Sequence, residues 1–83
     1  MSTVQEVITK IVNKQNELYS VIQNISLQMT TAPEIFQNPG ALFQMQIRLQ
    51  QLKDYLAAVT AIGQIVNDST QDAIENFLES IAV

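Results

Sequence analysis

The sequence predicts an all-α protein, an antiparallel helical hairpin whose C-terminal helix is the longer one. In two stretches of the chain, apolar residues recur at alternating steps of three and four, which is the spacing of one face of an α-helix. Between them, a short segment with threonine and proline interrupts the pattern. At 83 residues the chain is long enough for one domain only, residues 1–83. We predict helices over about residues 3–29 and 39–81, joined by a connection over 30–38.

The first helix has a start signal and a wide apolar stripe. Ser2 or Thr3 can cap it, with Gln5 or Glu6 three residues further on in the capping-box position. The stripe consists of Val4, Ile8, Ile11, Gln15, Leu18, Ile22, Ile25 and Met29. Its polar member, Gln15, either lies near the surface or facing another amide, or is buried and fixes the register of the helices. Further apolar residues flank the stripe, so the helix should contact more than one neighbour. They are Val7, Val12, Tyr19, Val21 and Leu27.

The first helix should end near Met29. Thr30-Thr31 is β-branched, and Pro33 disfavours helix at the residue before it. Two bulky apolar residues follow in the connection, Ile35 and Phe36. They either fold back onto the hairpin or insert into a neighbouring subunit, because leaving both in water is unfavourable.

The second helix begins at Asn38 and Pro39. The Asn38 side chain can accept a hydrogen bond from the first helical turn, and Pro39 has its φ fixed where no amide is needed. The apolar face that follows comprises Leu42, Met45, Leu49, Leu52, Leu56 and Val59. This face is a heptad seam and needs a partner.

The predicted helices differ in length. A continuous second helix would be roughly 65 Å long, against roughly 40 Å for the first. Its unpaired end would carry Ala73, Ile74, Phe77, Leu78 and Ile81, which self-association would cover. The alternative is a kink or break near Asn67, because Gly63 is a poor helix former and Asn67–Thr70 is a cluster of N-cap residues. A third helix from about Ser69 to Ala82 would then fold back over the hairpin.

Composition argues against several classes of function. The chain has no His, no Cys and no Gly-rich phosphate loop, so we expect neither an enzyme nor a bound metal or cofactor. With a net charge of −4 and four basic residues, it offers no cationic surface for nucleic acid. No apolar run reaches the roughly 20 residues of a membrane span, and the N-terminus shows no cleaved signal peptide.

Four carboxylates fall on one face of a helix near the C-terminus, namely Asp68, Asp72, Glu75 and Glu79. Such a row is most often a solvated face. The alternatives are a site for a hard cation such as calcium, an acid and base pair, a surface for a basic partner, or the lining of a polar channel.

A series of short motifs follows the predicted turn. They are Asn-Pro at 38–39, Leu-Phe at 42–43, Gln-Ile at 46–47, Leu-Gln-Gln at 49–51, and Tyr55. This stretch resembles the needle-filament subunits of bacterial type III secretion systems, short helical hairpins whose second helix opens after an Asn-Pro or Asp-Pro turn. The sequence departs from many of those subunits in having Glu75 and Glu79 where Lys or Arg is common near the C-terminus.

The resemblance implies a structural protein that polymerises into the hollow needle and contributes packing surfaces without catalysis. We assign the turn and the assembly contacts to Asn38, Pro39, Leu42, Phe43, Gln46, Leu49, Gln50, Leu52, Tyr55 and Phe77. The partners would be other copies and the proteins and chaperones of the needle system, with no nucleic acid and no small-molecule substrate. The protein would be bacterial, made in the cytoplasm, and exported to the cell surface without a cleaved signal.

Other functions fit the same pattern. An inner-rod subunit is a close variant of the needle hypothesis. A different class is a small helical chaperone that binds a needle subunit in the cytoplasm, and a third is a coiled-coil adaptor with no link to secretion.

Overall fold

The structure is a computed structural model that describes residues 2–32, 34 and 37–83. It confirms the all-α fold. The described residues form three helices, α1 (Val4–Thr31), α2 (Pro39–Ile62) and α3 (Gln71–Ser80). α1 and α2 form the hairpin, and α3 packs against α1 to complete a rod of 48 × 19 × 19 Å.

Both predicted helix starts are confirmed. The Thr3 hydroxyl accepts a hydrogen bond from the Glu6 amide at 3.1 Å and caps α1. The Asn38 side-chain oxygen accepts from the amides of Gly40 at 2.8 Å and Ala41 at 3.4 Å, and caps α2. Each cap satisfies amides of the first turn that have no partner within the helix.

α1 extends two residues beyond its predicted end. Thr30 and Thr31 remain helical, and each hydroxyl donates to the Leu27 carbonyl, at 2.9 and 2.7 Å. These bonds to the preceding turn satisfy the two hydroxyl groups within the last turn of the helix. The two alternatives for Ile35 and Phe36 lie outside the described residues.

The prediction of a helix over 39–81 is wrong, because α2 ends at Ile62. The Asn67 side-chain oxygen accepts from the Ser69 amide at 2.7 Å and the Thr70 amide at 3.2 Å, which closes a turn. The Thr70 hydroxyl accepts from the Asn67 amide at 2.9 Å and donates to the Ile65 carbonyl at 2.8 Å. These local bonds compete with a continuous helix. The structure therefore shows the alternative that the cap cluster predicted, a third helix.

The prediction of a free C-terminal overhang is also wrong. α3 runs parallel to α1, because Glu75 reaches Ser2 and Lys10 while Ile81, just after its end, reaches Lys14. The buried core is formed by Val7, Ile11, Leu18, Leu52, Val59, Ile74, Leu78 and Ile81. Three of these residues come from the α3 region, and burying each is worth about 1.5 to 3 kcal/mol. The surface that we expected other copies to cover is covered within the chain.

Candidate assembly surface

Charge is distributed unevenly along the rod. Glu34 is the only charged residue between Leu18 and Ile47. We call residues 18–47, which include the connection between α1 and α2, the loop half, and residues 2–17 with 48–83 the closed half. Surfaces that must remain apart from other proteins usually carry mixed charge throughout, so the loop half is unusual.

Burial follows the same division. Among the described residues, every fully buried side chain belongs to the closed half or, as Leu18 does, to its boundary. Val21, Ile22 and Ile25 of the loop half are only partly buried against this core. The reason is that α3 packs beside the N-terminal part of α1, so in the described part of the loop half α1 and α2 pack with no third layer.

Four large apolar side chains of the loop half point into solvent. Tyr19 and Leu27 of α1 are 57% and 58% exposed, and Phe43 and Ile47 of α2 are 63% and 55% exposed. Each pair lies on one side of its helix, because residues four or eight positions apart share a face. Tyr19 and Leu27 line a shallow groove together with Gln23. Three further large apolar side chains, Val12, Ile65 and Val83, are exposed in the closed half. The loop half differs in that its exposed apolar side chains lie in a stretch with a single charge, which favours an interaction surface there.

The polar groups between these apolar side chains are neutral. Amides and hydroxyls of the exposed residues Ser20, Gln23, Asn24, Ser26, Gln28, Gln44 and Gln46 surround them. An amide side chain both donates and accepts hydrogen bonds, so a surface of this kind can pair with another copy of itself.

The ten residues assigned to the turn and assembly lie in three kinds of environment, namely the turn itself, the exposed surface and the partly or fully buried interior. Asn38 and Pro39 form the start of α2. Phe43, Gln46 and Gln50 are exposed, whereas Leu42, Leu49, Tyr55 and Phe77 are half-buried and Leu52 is fully buried. Gln50 donates to Asp54 at 3.0 Å, and Tyr55 accepts from Gln51 at 3.3 Å.

One of the assembly assignments therefore needs correction. Leu52 is a core residue of the monomer, at 0% exposure, and cannot contact another copy while the fold is intact. Tyr55 and Phe77 pack against the same core but remain partly exposed. The assignment missed Tyr19, Leu27 and Ile47 as exposed apolar residues. The 30-residue stretch with a single charge was the signal in the sequence that could have identified them.

The four carboxylates near the C-terminus have different environments. Asp68 and Asp72 are exposed, but Glu75 accepts hydrogen bonds from Ser2 and from Lys10, the latter at 2.5 Å. Glu79 lies 3.9 Å from the same Lys10 nitrogen. The hydrogen bond from Lys10, reinforced by that from Ser2, holds the pKa of the Glu75 carboxyl below its ordinary value. The same bond raises the pKa of Lys10. Glu75 therefore joins α3 to α1.

Two further basic residues hold the end of α3. Lys14 donates to the Ile81 carbonyl at 3.3 Å, and Arg48 of α2 donates to the Ala82 carbonyl at 3.2 Å. Cations beside carbonyls at a helix C-terminus stabilise the helix, because they interact favourably with its dipole. Gln15, whose setting the sequence left open, donates to the Thr60 hydroxyl at 3.2 Å and joins α1 to α2.

The described residues contain no group of three or more acidic side chains placed to hold a metal ion. None of the described helices is both long and apolar enough to cross a bilayer.

The described residues define a small all-α protein, a helical hairpin with a third helix packed against one half of it. Comparison of the chain with family models, curated proteins and solved structures gives no match. Any narrower assignment depends on the motifs between Asn38 and Tyr55.

Proposed function

We propose that this protein is a non-catalytic structural subunit that self-assembles through its loop half into the needle filament of a bacterial type III secretion apparatus. The observation that supports self-assembly is the loop half itself. It has a single charge, its described residues form no third helix, and it exposes Phe43, Ile47, Tyr19 and Leu27. The motifs between residues 38 and 55 support the choice of the needle among such assemblies.

Electrostatics favours contact between loop halves. Two copies that each carry a net charge of −4 repel each other. The closed half carries −3 of that charge and the loop half −1, at Glu34, so copies that meet at their loop halves bring few like charges together. Each exposed apolar side chain buried in the contact contributes about 1.5 to 3 kcal/mol.

Self-assembly can be tested by adding charge to the loop half. We expect Phe43→Glu and Ile47→Glu to raise the concentration at which the protein forms fibres by about tenfold or more, because burying a carboxylate opposes the contact. The concentration is measured by sedimentation, and the fibres are identified by negative-stain electron microscopy.

Ala57→Glu is the matched control. It adds the same charge at an exposed position of the same helix, but in the closed half, and should leave the fibre threshold unchanged. A wild-type protein that remains monomeric at high concentration would contradict self-assembly. Appearance outside the cell only when a secretion apparatus is active would support the needle assignment.

A second candidate is a cytoplasmic chaperone that binds a needle subunit. The observation that favours it is the docking of α3, which buries Ile74, Leu78 and Ile81, residues that we expected to be free for polymerisation. A chaperone would form a stoichiometric complex with its client, would form no fibres alone, and would be retained in the cell. Co-expression with the client followed by size-exclusion chromatography separates the two functions.

A further inference from the structure

The charged residues of α1 all lie on one side of the helix. Lys10 and Lys14 both contact α3. Glu17 pairs with Lys14, and Glu6 lies four residues before Lys10, which places both carboxylates on the same side as the lysines. Since α1 contains no other charged residue, the rest of its surface is uncharged.

A row of exposed, uncharged side chains runs along another side of α1. Leu27, which belongs to it, follows the buried Leu18 by nine residues, or about two and a half turns, and so points away from the core. Solvent-facing helix surfaces usually carry charge, so a face without any favours contact with another uncharged surface. We call this row the α1 stripe, and its members recur at steps of three and four residues, namely Thr9, Val12, Asn16, Tyr19, Gln23 and Leu27.

The exposed apolar pair on α2 faces the other way. Phe43 precedes the buried Leu52 by nine residues, so Phe43 and its neighbour Ile47 also point away from the core. Because α1 and α2 pack together through their buried sides, the α1 stripe and this pair lie on opposite sides of the hairpin. A single chain therefore exposes two separate uncharged surfaces.

The two surfaces differ in shape. Two shallow hollows adjoin on α1 at Gln23 and Leu27, one extending toward Tyr19 and the other toward Thr30. Phe43 and Ile47 instead project from α2 one turn apart, at roughly 6 Å along the helix axis. Projecting apolar side chains of one helix fit into hollows between the side chains of another, as they do in coiled coils.

We propose that Phe43 and Ile47 of one copy dock in the hollows of the α1 stripe of a second copy. This inference rests on the proposed self-assembly and specifies which surfaces meet. Charge supports a second copy as the occupant, because residues 18–31 of α1 and 39–47 of α2 are uncharged. Their contact brings no like charges together, although each copy carries a net charge of −4.

A contact between unlike surfaces also covers both of them. Pairing of α1 with α1, or of α2 with α2, would leave one surface of each copy exposed. Pairing of the α1 stripe with the α2 pair leaves neither exposed within a row of copies. It repeats without closing where the rotation between copies does not form a ring, which is the arrangement that a filament needs.

Cross-linking between introduced cysteines tests which surfaces meet. The chain has no Cys, so Gln23→Cys and Gln46→Cys each introduce a unique thiol, the first in the α1 stripe and the second three residues from Phe43. The two variants are mixed at high protein concentration and treated with a short bis-maleimide. Gln23→Cys mixed with Ala57→Cys is the matched control, because Ala57 is exposed on the same helix as Gln46 but in the closed half.

The readout is the mass of the cross-linked dimers. Gln23→Cys is labelled with ¹⁵N, so that a mixed dimer differs in mass from a dimer of either variant alone. We expect mixed dimers to be at least fivefold more abundant than the two like dimers together, whereas random collision gives equal amounts. They should also be at least tenfold more abundant than the mixed dimers of the Ala57→Cys control.

Each outcome decides the inference. Mixed dimers in that excess support the docking. A predominance of like dimers overturns it, because α1 would then meet α1 or α2 would meet α2. Mixed dimers no more abundant than in the control also overturn it, and would indicate that these surfaces bind another protein or none. If either variant fails to form the fibres that wild type forms, Asn24→Cys and Gln44→Cys replace the two at neighbouring exposed positions.

Failure of the docking is distinguishable from failure of the proposed function. Wild-type fibres without mixed dimers leave self-assembly standing and overturn this pairing of surfaces. Mixed dimers without fibres support the pairing and remove the filament alone. A wild-type protein that remains monomeric and gives no mixed dimers removes both.

Discussion

Among the four carboxylates near the C-terminus, Glu75 has a structural role. Its side chain is only 18% exposed and accepts from both Ser2 and Lys10, so its ionised form is favoured in the folded protein. Because the folded pKa lies below the ordinary value of about 4.3, its contribution is complete above that pH and is lost as the pH falls through the folded pKa. Lys10 has a raised pKa, so its contribution is lost only in strongly alkaline solution.

We predict that Glu75→Gln removes this acid dependence. The difference in free energy of unfolding between wild type and variant should be greatest near neutral pH and should shrink below about pH 4, where Glu75 itself is protonated. Urea unfolding of both proteins, followed by circular dichroism at several pH values, measures this difference in free energy.

Glu79→Gln is the control for this experiment, because Glu79 lies 3.9 Å from Lys10 and is 64% exposed. Its effect should be smaller at every pH. Parallel pH profiles for wild type and Glu75→Gln would contradict the role of Glu75.

Residues whose role is local were predictable from the sequence. The caps at Thr3 and Asn38 depend on a side chain and the next three amides, all of which the sequence specifies. Periodicity also indicates the burial of Leu52 and the exposure of Phe43, because Leu52 lies on the apolar face of the second helix and Phe43 does not. The motifs between residues 38 and 55 do not distinguish the two residues, so the assignment placed both in the assembly contacts.

The same limit applies at the scale of helices. Periodicity located α1 and the start of α2 correctly, and the cap cluster at Asn67–Thr70 marked the start of α3. Periodicity also continues through residues 63–70 and, together with the resemblance to needle subunits, it favours a continuous helix over 39–81. The turn bonds of Asn67, together with burial of Ile74 and Leu78, outweighed the propensity for continuation.

We predict that Asn67→Ala destabilises the protein by about 1 to 2 kcal/mol, because the amides of Ser69 and Thr70 lose their shared acceptor. Urea unfolding measures the change. Ser69→Ala is the neighbouring control and should alter the free energy of unfolding by less than about 0.5 kcal/mol. Equal effects of the two substitutions would show that the Asn67 turn does not determine the end of α2.

For the molecule as a whole, the difference between the halves should appear in its dynamics. The closed half has three helices and the buried core, whereas the described loop half has two helices and side chains that are at most partly buried beyond Leu18. Local opening is easier where fewer apolar contacts must be broken.

We therefore predict that, in dilute monomer, amides of the loop half exchange with deuterium at least about tenfold faster than those of α3 and of α1 before Leu18. Hydrogen exchange with mass spectrometry measures this. On self-assembly the loop half should become the more strongly protected region. Uniform protection in the monomer, or unchanged protection of the loop half in fibres, would contradict its role as the assembly surface.

The anchoring of α3 by side chains of other helices couples its position to its conformation. Lys14 and Arg48 donate to the carbonyls of Ile81 and Ala82, just beyond the end of α3. A helix of 10 residues is too short to be stable alone in water, so on leaving α1 the segment loses these bonds and its helical form together. Circular dichroism should therefore report the undocking of α3 as a loss of helix.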